Sequence, residues 1–152
     1  MRIVIPFAAF FVLSLAVEPL CAFGREDKIP DPQSIVALEA RASQAKPRDR
    51  CFLYAEVVHE MTELSVHQYA SGNVTVADRL LQQIQRVVKK VHLSLARNDK
   101  RLIKAQILLS NTAFRLTEML HTSNYGDQPL VKETLAEVNQ AQREAMMQVF
   151  QK

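Results

Sequence analysis

Two repeats of the spacing Glu-x-x-His are the residues of this chain whose types and spacing could do chemistry. They are Glu56 with His59 and Glu118 with His121. Di-metal carboxylate bundles use this spacing on each of two helices, together with one Glu from each of two further helices, to hold two metal ions in the core. An internal metal centre is therefore the first hypothesis to weigh.

The helical periodicity around the first motif argues against an internal centre. At 100° per residue, Glu56 and His59 project roughly 160° away from Tyr54 and Met61, which lie on the apolar stripe of the same helix. The third predicted helix contains no Glu, so it cannot supply its share of the ligands. The sequence therefore predicts no catalytic residue, no cofactor and no internal metal site.

A second candidate is a metal site on the surface of the second helix. His59, Glu63 and His67 recur four residues apart and stack on one helical face. The two His residues are roughly 12 Å apart along the axis, too far for one ion, although either His with Glu63 could bind zinc with help from a partner chain. The favoured interpretation is a solvated face, and the alternative is a metal-binding helical bundle that uses His59, Glu63, His67 and His121.

The two cysteines have different expected fates. Cys21 lies in a segment that export would remove, so the mature chain would keep Cys51 and could form no disulfide within itself. Cys51 begins the apolar stripe of the second helix, which favours a buried and inert thiol. An interchain disulfide through Cys51 and a reactive thiol near a helix N-terminus are the alternatives.

The first residues of the chain predict export. Arg2 precedes the uncharged apolar run 3–17, which is broken by Glu18 and Pro19 and followed by small residues. The run is shorter than the roughly 20 residues that a spanning helix needs, so it is typical of a cleaved signal peptide rather than a permanent membrane span. We expect a periplasmic or secreted protein with a signal peptide at 1–24, a flexible leader at 25–30 and a single helical domain at 31–152.

The composition of the remaining sequence predicts an all-α fold. Gly occurs only 3 times and Trp not at all, and residues that favour helix dominate. Capping residues, prolines and the Ser71-Gly72-Asn73 stop delimit the helices. The five helices are expected to begin near Asp31, Asp49, Thr75, Asp99, and Asp127 or Gln128. This pattern favours an antiparallel up-and-down four-helix bundle with a short extra N-terminal helix.

The junction between the third and fourth helices leaves two interpretations open. Asn98-Asp99 is typical of a tight turn, yet neither Gly nor Pro is present, and the apolar stripe passes from Leu95 to Leu102 without losing phase. We expect a turn, and the alternative is that helices three and four are fused into one long helix. The fourth helix is apolar over more than half its circumference, so it is expected to be the most buried.

Five short landmarks give the chain a resemblance. They are the run 54–63 (YAEVVHEMTE), the Gly72 turn, the run 100–107 (KRLIKAQI), Arg115-Leu116 and the end 146–150 (MMQVF). With them, residues 51–152 resemble a group of uncharacterised exported bacterial helical proteins. The resemblance implies export and a helical fold, and it implies no activity or site.

Two charged faces remain as candidate contact surfaces, because a bundle buries only its apolar stripes. One face is acidic and lies on helix two, and the other is basic and lies on helix three. They consist of Glu56, Glu60 and Glu63, and of Arg79, Arg86 and Lys90.

These observations predict an exported, non-enzymatic helical binding or structural module that acts through its polar outer faces. Its expected partner is another protein or a second copy of the chain, and an anionic envelope surface is a further candidate. Nucleic acid is not expected, because a net charge of +3 is modest for this size. A metal-binding bundle and a small periplasmic chaperone-like protein with a partly exposed apolar stripe are the alternatives.

Overall fold

The regular structure of the chain is α-helical throughout the part that the computed structural model describes, residues 28–95 and 101–151. Five helices follow one another, and the prediction of an all-α fold is confirmed for these residues. The signal peptide predicted at 1–24 and the Asn98-Asp99 junction lie outside the described residues. The helices are α1 (Pro32–Gln44), α2 (Pro47–Ala70), α3 (Val74–Leu93), α4 (Leu102–Thr122) and α5 (Gln128–Phe150).

Local sequence signals explain where the helices begin and end. Asp31 caps α1, since its side chain accepts a hydrogen bond of 3.3 Å from the Ser34 amide. Pro47 occupies the first turn of α2, so this helix begins two residues before the predicted Asp49. Gly72 has φ +82°, a left-handed conformation that Gly adopts without steric cost, and it follows the end of α2.

The alternative of one long fused helix is wrong. α3 ends at Leu93, where the Ser94 amide bonds to the Val91 carbonyl at 3.0 Å, and α4 begins only at Leu102. Within the described residues, α3 and α4 do not contact each other. The two segments are therefore separate helices on opposite sides of the molecule.

Four of the helices, α2 to α5, form four neighbouring pairs, and α1 lies beside them. α2 packs against α3, α3 against α5, α5 against α4, and α4 against α2, whereas α1 packs against α2 and is joined to α3 by the ion pair Glu39–Lys90. The ion pairs Asp49–Arg101 and Glu63–Arg115 join α2 to the region of α4 in ascending order, so these two helices run parallel. Bonds from α3 to α5 also ascend, through Gln85–Thr134 and His92–Glu144, so this pair is parallel too.

The distribution of burial differs from the expectation for α4. α2 contributes ten buried residues and α4 contributes seven. Ile103, Ile107 and Phe114 are exposed on α4, although its sequence looks apolar nearly all round. The reason is that α2 packs against three helices and α4 against only two. The prediction that α4 is the most buried helix is therefore wrong.

The five helices also differ from membrane-spanning segments. None of those in the described part of the chain combines the length and the apolar character needed to cross a bilayer.

Candidate binding groove between α2 and α4

A groove of about 750 Å³ runs along the junction of α2 and α4, and residues 28–30 lie along one side of it. Its walls are mostly polar, with one exposed aromatic ring, Phe114. The groove contains nearly the whole polar face of α2 that the sequence predicts to be solvated. Its other lining side chains include His59, Glu60, Glu63, His67, Arg115 and Glu118.

Arg115 anchors the two walls of the groove to each other. Its Nε and Nη2 donate to the two carboxylate oxygens of Glu63 at 2.8 Å and 3.0 Å, and its Nη1 donates to Glu118 at 2.5 Å. Two parallel N–H···O bonds fix the guanidinium and the carboxylate in one plane. These hydrogen bonds outweigh the effect of burial and raise the pKa of Arg115. Arg115 and Glu63 therefore form a fixed ion pair that neutralises one carboxylate of the groove.

The imidazole of His59 is hydrogen-bonded to a side chain of α4. Its Nδ1 lies 3.1 Å from Thr112 Oγ1, and Thr112 is fully buried. The Thr112 hydroxyl donates its single proton to the Leu108 carbonyl at 2.8 Å, so Oγ1 accepts from the Nδ1–H of His59. A hydroxyl that is inaccessible and has its proton committed to a carbonyl is not an activated nucleophile. The pair therefore positions the imidazole rather than forming a catalytic dyad.

Glu60 is the carboxylate of the groove that forms no ion pair with a Lys or Arg in the described residues. It also lines a second cavity of about 780 Å³ beside α1, which shares residues 28–30 with the groove. Burial raises the pKa of Glu60, and the negative charges of Glu56 and Glu63 add to this effect, while His59 opposes it. Glu60 is therefore a half-buried carboxylate whose desolvation is only partly offset, by His59, within the described residues.

The acidic face of α2 differs from the prediction. Glu56, Glu60 and Glu63 are half-buried rather than exposed, because α1 and α4 pack beside them. Glu56 approaches Arg41 of α1 at 3.5 Å, and Glu63 is held by Arg115. The face is thus a groove wall, and Glu60 is its carboxylate without a Lys or Arg partner among residues 28–95 and 101–151.

The candidate metal ligands do not assemble into a site. His59, Glu63 and His67 all line the groove, whereas His121 is exposed near the end of α4 and is absent from the groove lining. In residues 28–95 and 101–151, no group of three or more His, Cys, Asp or Glu side chains is placed to hold a metal ion. The Glu63 carboxylate is already bound to Arg115, so it is a poor candidate for coordination.

The basic face of α3 is only partly as expected. Arg79 and Arg86 are exposed, but Lys90 bonds to Glu39 of α1 at 2.6 Å and lies 5.6 Å from the centre of the Tyr54 ring. The hydrogen bond to Glu39 raises the pKa of Lys90, against the smaller opposing effect of burial. Lys90 therefore ties α3 to α1 and is not part of a free basic surface.

Cys51 lies in the core with 0% exposure. Its thiol is thus inaccessible to another chain unless the packing around α2 opens. This burial favours the inert thiol over the interchain disulfide, which stays a prediction.

The sequence argument misses two lining residues of the groove, Phe114 and Arg115, and the buried Thr112 that bonds to the lining residue His59. All three lie on α4, where the apolar pattern dominates. The only usable signal is the opposite charge of Arg115 and Glu63, which does not reveal that their helices are neighbours. Contact between residues about 50 positions apart depends on the order of helices around the bundle.

Comparisons with protein-family models, with curated proteins and with solved structures give no match to this chain.

Proposed function

We propose that the protein is an exported, non-enzymatic binding module, and that the groove between α2 and α4 is its binding site. The observation that carries the proposal is the Glu60 carboxylate, which has no Lys or Arg partner in the described part of the chain, in a groove that also exposes the Phe114 ring. A desolvated charge without a partner lowers the stability of a protein, and such costs are typical of functional sites.

The arrangement of helices supports this proposal. We infer that α2 to α5 form a four-helix bundle of two hairpins, α2–α3 and α4–α5, that lie side by side. In this arrangement two neighbouring pairs are parallel, and α1 lies along the outside of α2. Because α1 covers only part of α2, a groove is left between α2 and α4 where a second chain can insert side chains.

The chemistry of the groove favours a basic side chain of a partner protein. A guanidinium that enters the groove would pair with Glu60, and the exposed face of Phe114 offers a cation–π contact. Glu63 does not compete, because Arg115 already saturates it. The non-enzymatic character is supported by the same residues, since Glu63 and the Thr112 hydroxyl have their hydrogen-bonding capacity committed within the protein.

The test is a titration of the isotope-labelled full chain with Nα-acetyl-arginine methylamide, followed by two-dimensional NMR. We expect shift changes at amides of α2 and α4 around Glu60 and Phe114. The neutral isostere Nα-acetyl-citrulline methylamide should produce much weaker changes at the same concentration, because it lacks the positive charge.

Two variants locate the site. Glu60→Gln should abolish the arginine-dependent changes, whereas Glu133→Gln, which removes an exposed carboxylate of α5 outside the groove, should leave them intact. Equal loss in both variants, or changes confined to other helices, would overturn the proposal.

A further inference from the structure

Five helix termini of the described chain lie at one end of the molecule, which we name the basal end. α2 and α4 begin there, and α1, α3 and α5 end there. Arg101, just before α4, approaches Asp49 of α2 at 3.9 Å and lies 4.8 Å from the Phe52 ring centre. The His92–Glu144 bond joins the last turns of α3 and α5, and the Lys90–Tyr54 contact joins α3 to the first turns of α2.

Large apolar side chains protrude at the basal end. Among the described residues, 11 large hydrophobic residues are exposed, and six of them lie on the basal portions of α3, α4 and α5. Leu93 is 88% exposed and Phe150 is 79% exposed, so these side chains pack against almost nothing. Exposed apolar groups concentrated in one region mark an interaction surface. The six are Leu93, Ile103, Ile107, Met146, Met147 and Phe150.

Exposed cations surround these apolar side chains. Among the described residues, the carboxylates near this end are engaged within the protein: Asp49 by Arg48 and Arg101, Glu144 by His92, and Glu39 by Lys90. The described charges therefore give the basal end a positive field. Its exposed cations are Lys46, Arg48, Lys89, Arg101, Lys104 and Arg143.

Among the described residues, the opposite end exposes two large hydrophobic side chains, Val76 and Tyr125, against six at the basal end. The opposite end is formed by the turn 71–73 and the loop 123–127, in which Tyr69 OH donates to Asp127 at 2.8 Å. Burial raises the pKa of Asp78, and the negative charge of nearby Asp127 raises it further. Apolar protrusions and positive charge are thus both concentrated at the basal end.

We propose that the basal end docks on an anionic lipid bilayer. Such a surface can bind a bilayer in two ways at once. Its apolar side chains enter the boundary between headgroups and acyl chains, and its cations pair with lipid phosphates. Lys and Arg reach the phosphates while their stems cover apolar surface. This is peripheral docking at one end of the molecule, and it requires no spanning helix.

A second copy of the chain fits this end less well than a bilayer does. Two basal ends placed face to face would bring cations of Lys89, Lys104 and Arg143 against those of their copy, and like charges repel. An anionic bilayer supplies opposite charge and apolar depth at once. Self-association through this end is accordingly the outcome that the test must distinguish from lipid binding.

The test is co-sedimentation of the full chain with vesicles of phosphatidylglycerol mixed with phosphatidylcholine, and with vesicles of phosphatidylcholine alone. We expect binding to the anionic vesicles that weakens as salt is added, because salt screens the lipid charge. The triple variant Leu93→Ser/Met147→Ser/Phe150→Ser should bind at least about tenfold more weakly, since its apolar contacts are lost.

Matched variants control for loss of apolar surface and of charge in general. Val36→Ser/Val76→Ser/Tyr125→Ser removes exposed apolar side chains away from the basal end and should bind as the parent chain does. Lys89→Gln/Lys104→Gln should lose much of the preference for anionic vesicles. Arg79→Gln/Lys132→Gln, at exposed sites nearer the other end, should retain it.

Three results would overturn the proposal. The first is equal binding by the basal and control variants, which would assign any lipid binding to another segment. The second is binding to neutral vesicles that is insensitive to salt. The third is a dimeric mass in light scattering that the Leu93, Met147 and Phe150 substitutions reduce to that of a monomer, which would assign the surface to self-association.

Discussion

Two parallel helix pairs occupy equivalent places in the molecule and are built with the same device. In the α2/α4 pair, buried Thr112 donates to the Leu108 carbonyl and accepts from His59 of the neighbouring helix. In the α3/α5 pair, buried Thr134 donates to the Leu130 carbonyl at 2.9 Å and accepts from Gln85 at 3.1 Å. Each Thr satisfies a polar side chain that would otherwise be unpaired between packed helices.

The pairs differ in what lies outside the threonine. In the α3/α5 pair, His92 and Glu144 bond directly, and Gln140 donates to the second oxygen of Glu144 at 3.0 Å. In the α2/α4 pair, Arg115 binds Glu63 and so joins the two helices. Glu60, in the wall of the groove, has no cationic partner in the described residues. The same packing geometry therefore yields one pair whose half-buried carboxylate is hydrogen-bonded and one in which, among the described residues, the Glu60 carboxylate has no Lys or Arg partner.

The largest expected effect tests whether the two pairs share an equally packed core. Leu109→Ala in α4 and Ile84→Ala in α3 remove side chains with 0% exposure. Each should lower the free energy of unfolding by about 2–5 kcal/mol in chemical denaturation, because both leave a cavity. If either substitution lowered the free energy of unfolding by less than about 1 kcal/mol, the core at that site would be loosely packed. The two helix pairs would then not share an equally packed core.

The next effect tests the ion pair that closes the α2/α4 pair. Arg115→Met should lower the free energy of unfolding by about 1–3 kcal/mol, because it leaves the half-buried Glu63 without its hydrogen bonds. The double variant Arg115→Met/Glu63→Gln should recover part of the loss. Arg79→Met, at an exposed site, serves as the control and should change stability by less than about 0.5 kcal/mol.

The α3/α5 pair should depend on pH through Glu144. Burial alone would raise the pKa of Glu144, but hydrogen bonds from His92 and Gln140 outweigh it and lower the pKa below its ordinary value of 4.5. A carboxyl whose pKa is lower in the folded state stabilises the protein above the unfolded value, and this contribution disappears as the pH falls through the folded value. Glu144→Gln should therefore lower the free energy of unfolding by about 0.5–1 kcal/mol at neutral pH, a value kept small because the group is partly solvated. In acid, the stabilities of the parent chain and the variant should become equal, as chemical denaturation at several pH values can measure.

The smallest effect has the opposite sign and belongs to Glu60. Its pKa is raised above 4.5, so its ionised form destabilises the folded state, and stability declines as the pH rises through the folded value. Glu60→Gln should accordingly raise the free energy of unfolding at neutral pH by about half a kcal/mol or less, since the group is partly solvated. The gain should vanish below pH 4.5, and a loss of stability at neutral pH would contradict the assignment of Glu60 as a carboxylate whose desolvation is only partly offset.

The sequence predicts the helices well because their limits are set by local chemistry. Asp31, Pro47 and Gly72 act through backbone geometry and capping within a few residues, and each marks a boundary within two residues of the observed one. The environment of His59 cannot be predicted in this way. Periodicity identifies the apolar stripe of α2, but the cover over its flanks depends on which helices become neighbours.

The same limit explains the errors on α4. Its apolar circumference would suit a helix surrounded by others, yet it has two neighbours and exposes Ile103, Ile107 and Phe114. A sequence pattern shows which side chains are apolar but not which of them another helix covers. An exposed apolar residue therefore cannot be distinguished from a core residue by its type.

The order of the helices has a consequence for how the chain folds. The turn 71–73 and the loop 123–127 join α2 to α3 and α4 to α5 over a few residues, whereas the bonds between hairpins link residues 49 to 58 positions apart. Local closure loses less chain entropy than distant closure, so each hairpin should assemble first and their mutual docking should complete the transition. Substitutions at the Thr112 and Thr134 hydroxyls would then act mainly on the rate of unfolding and leave the refolding rate nearly unchanged.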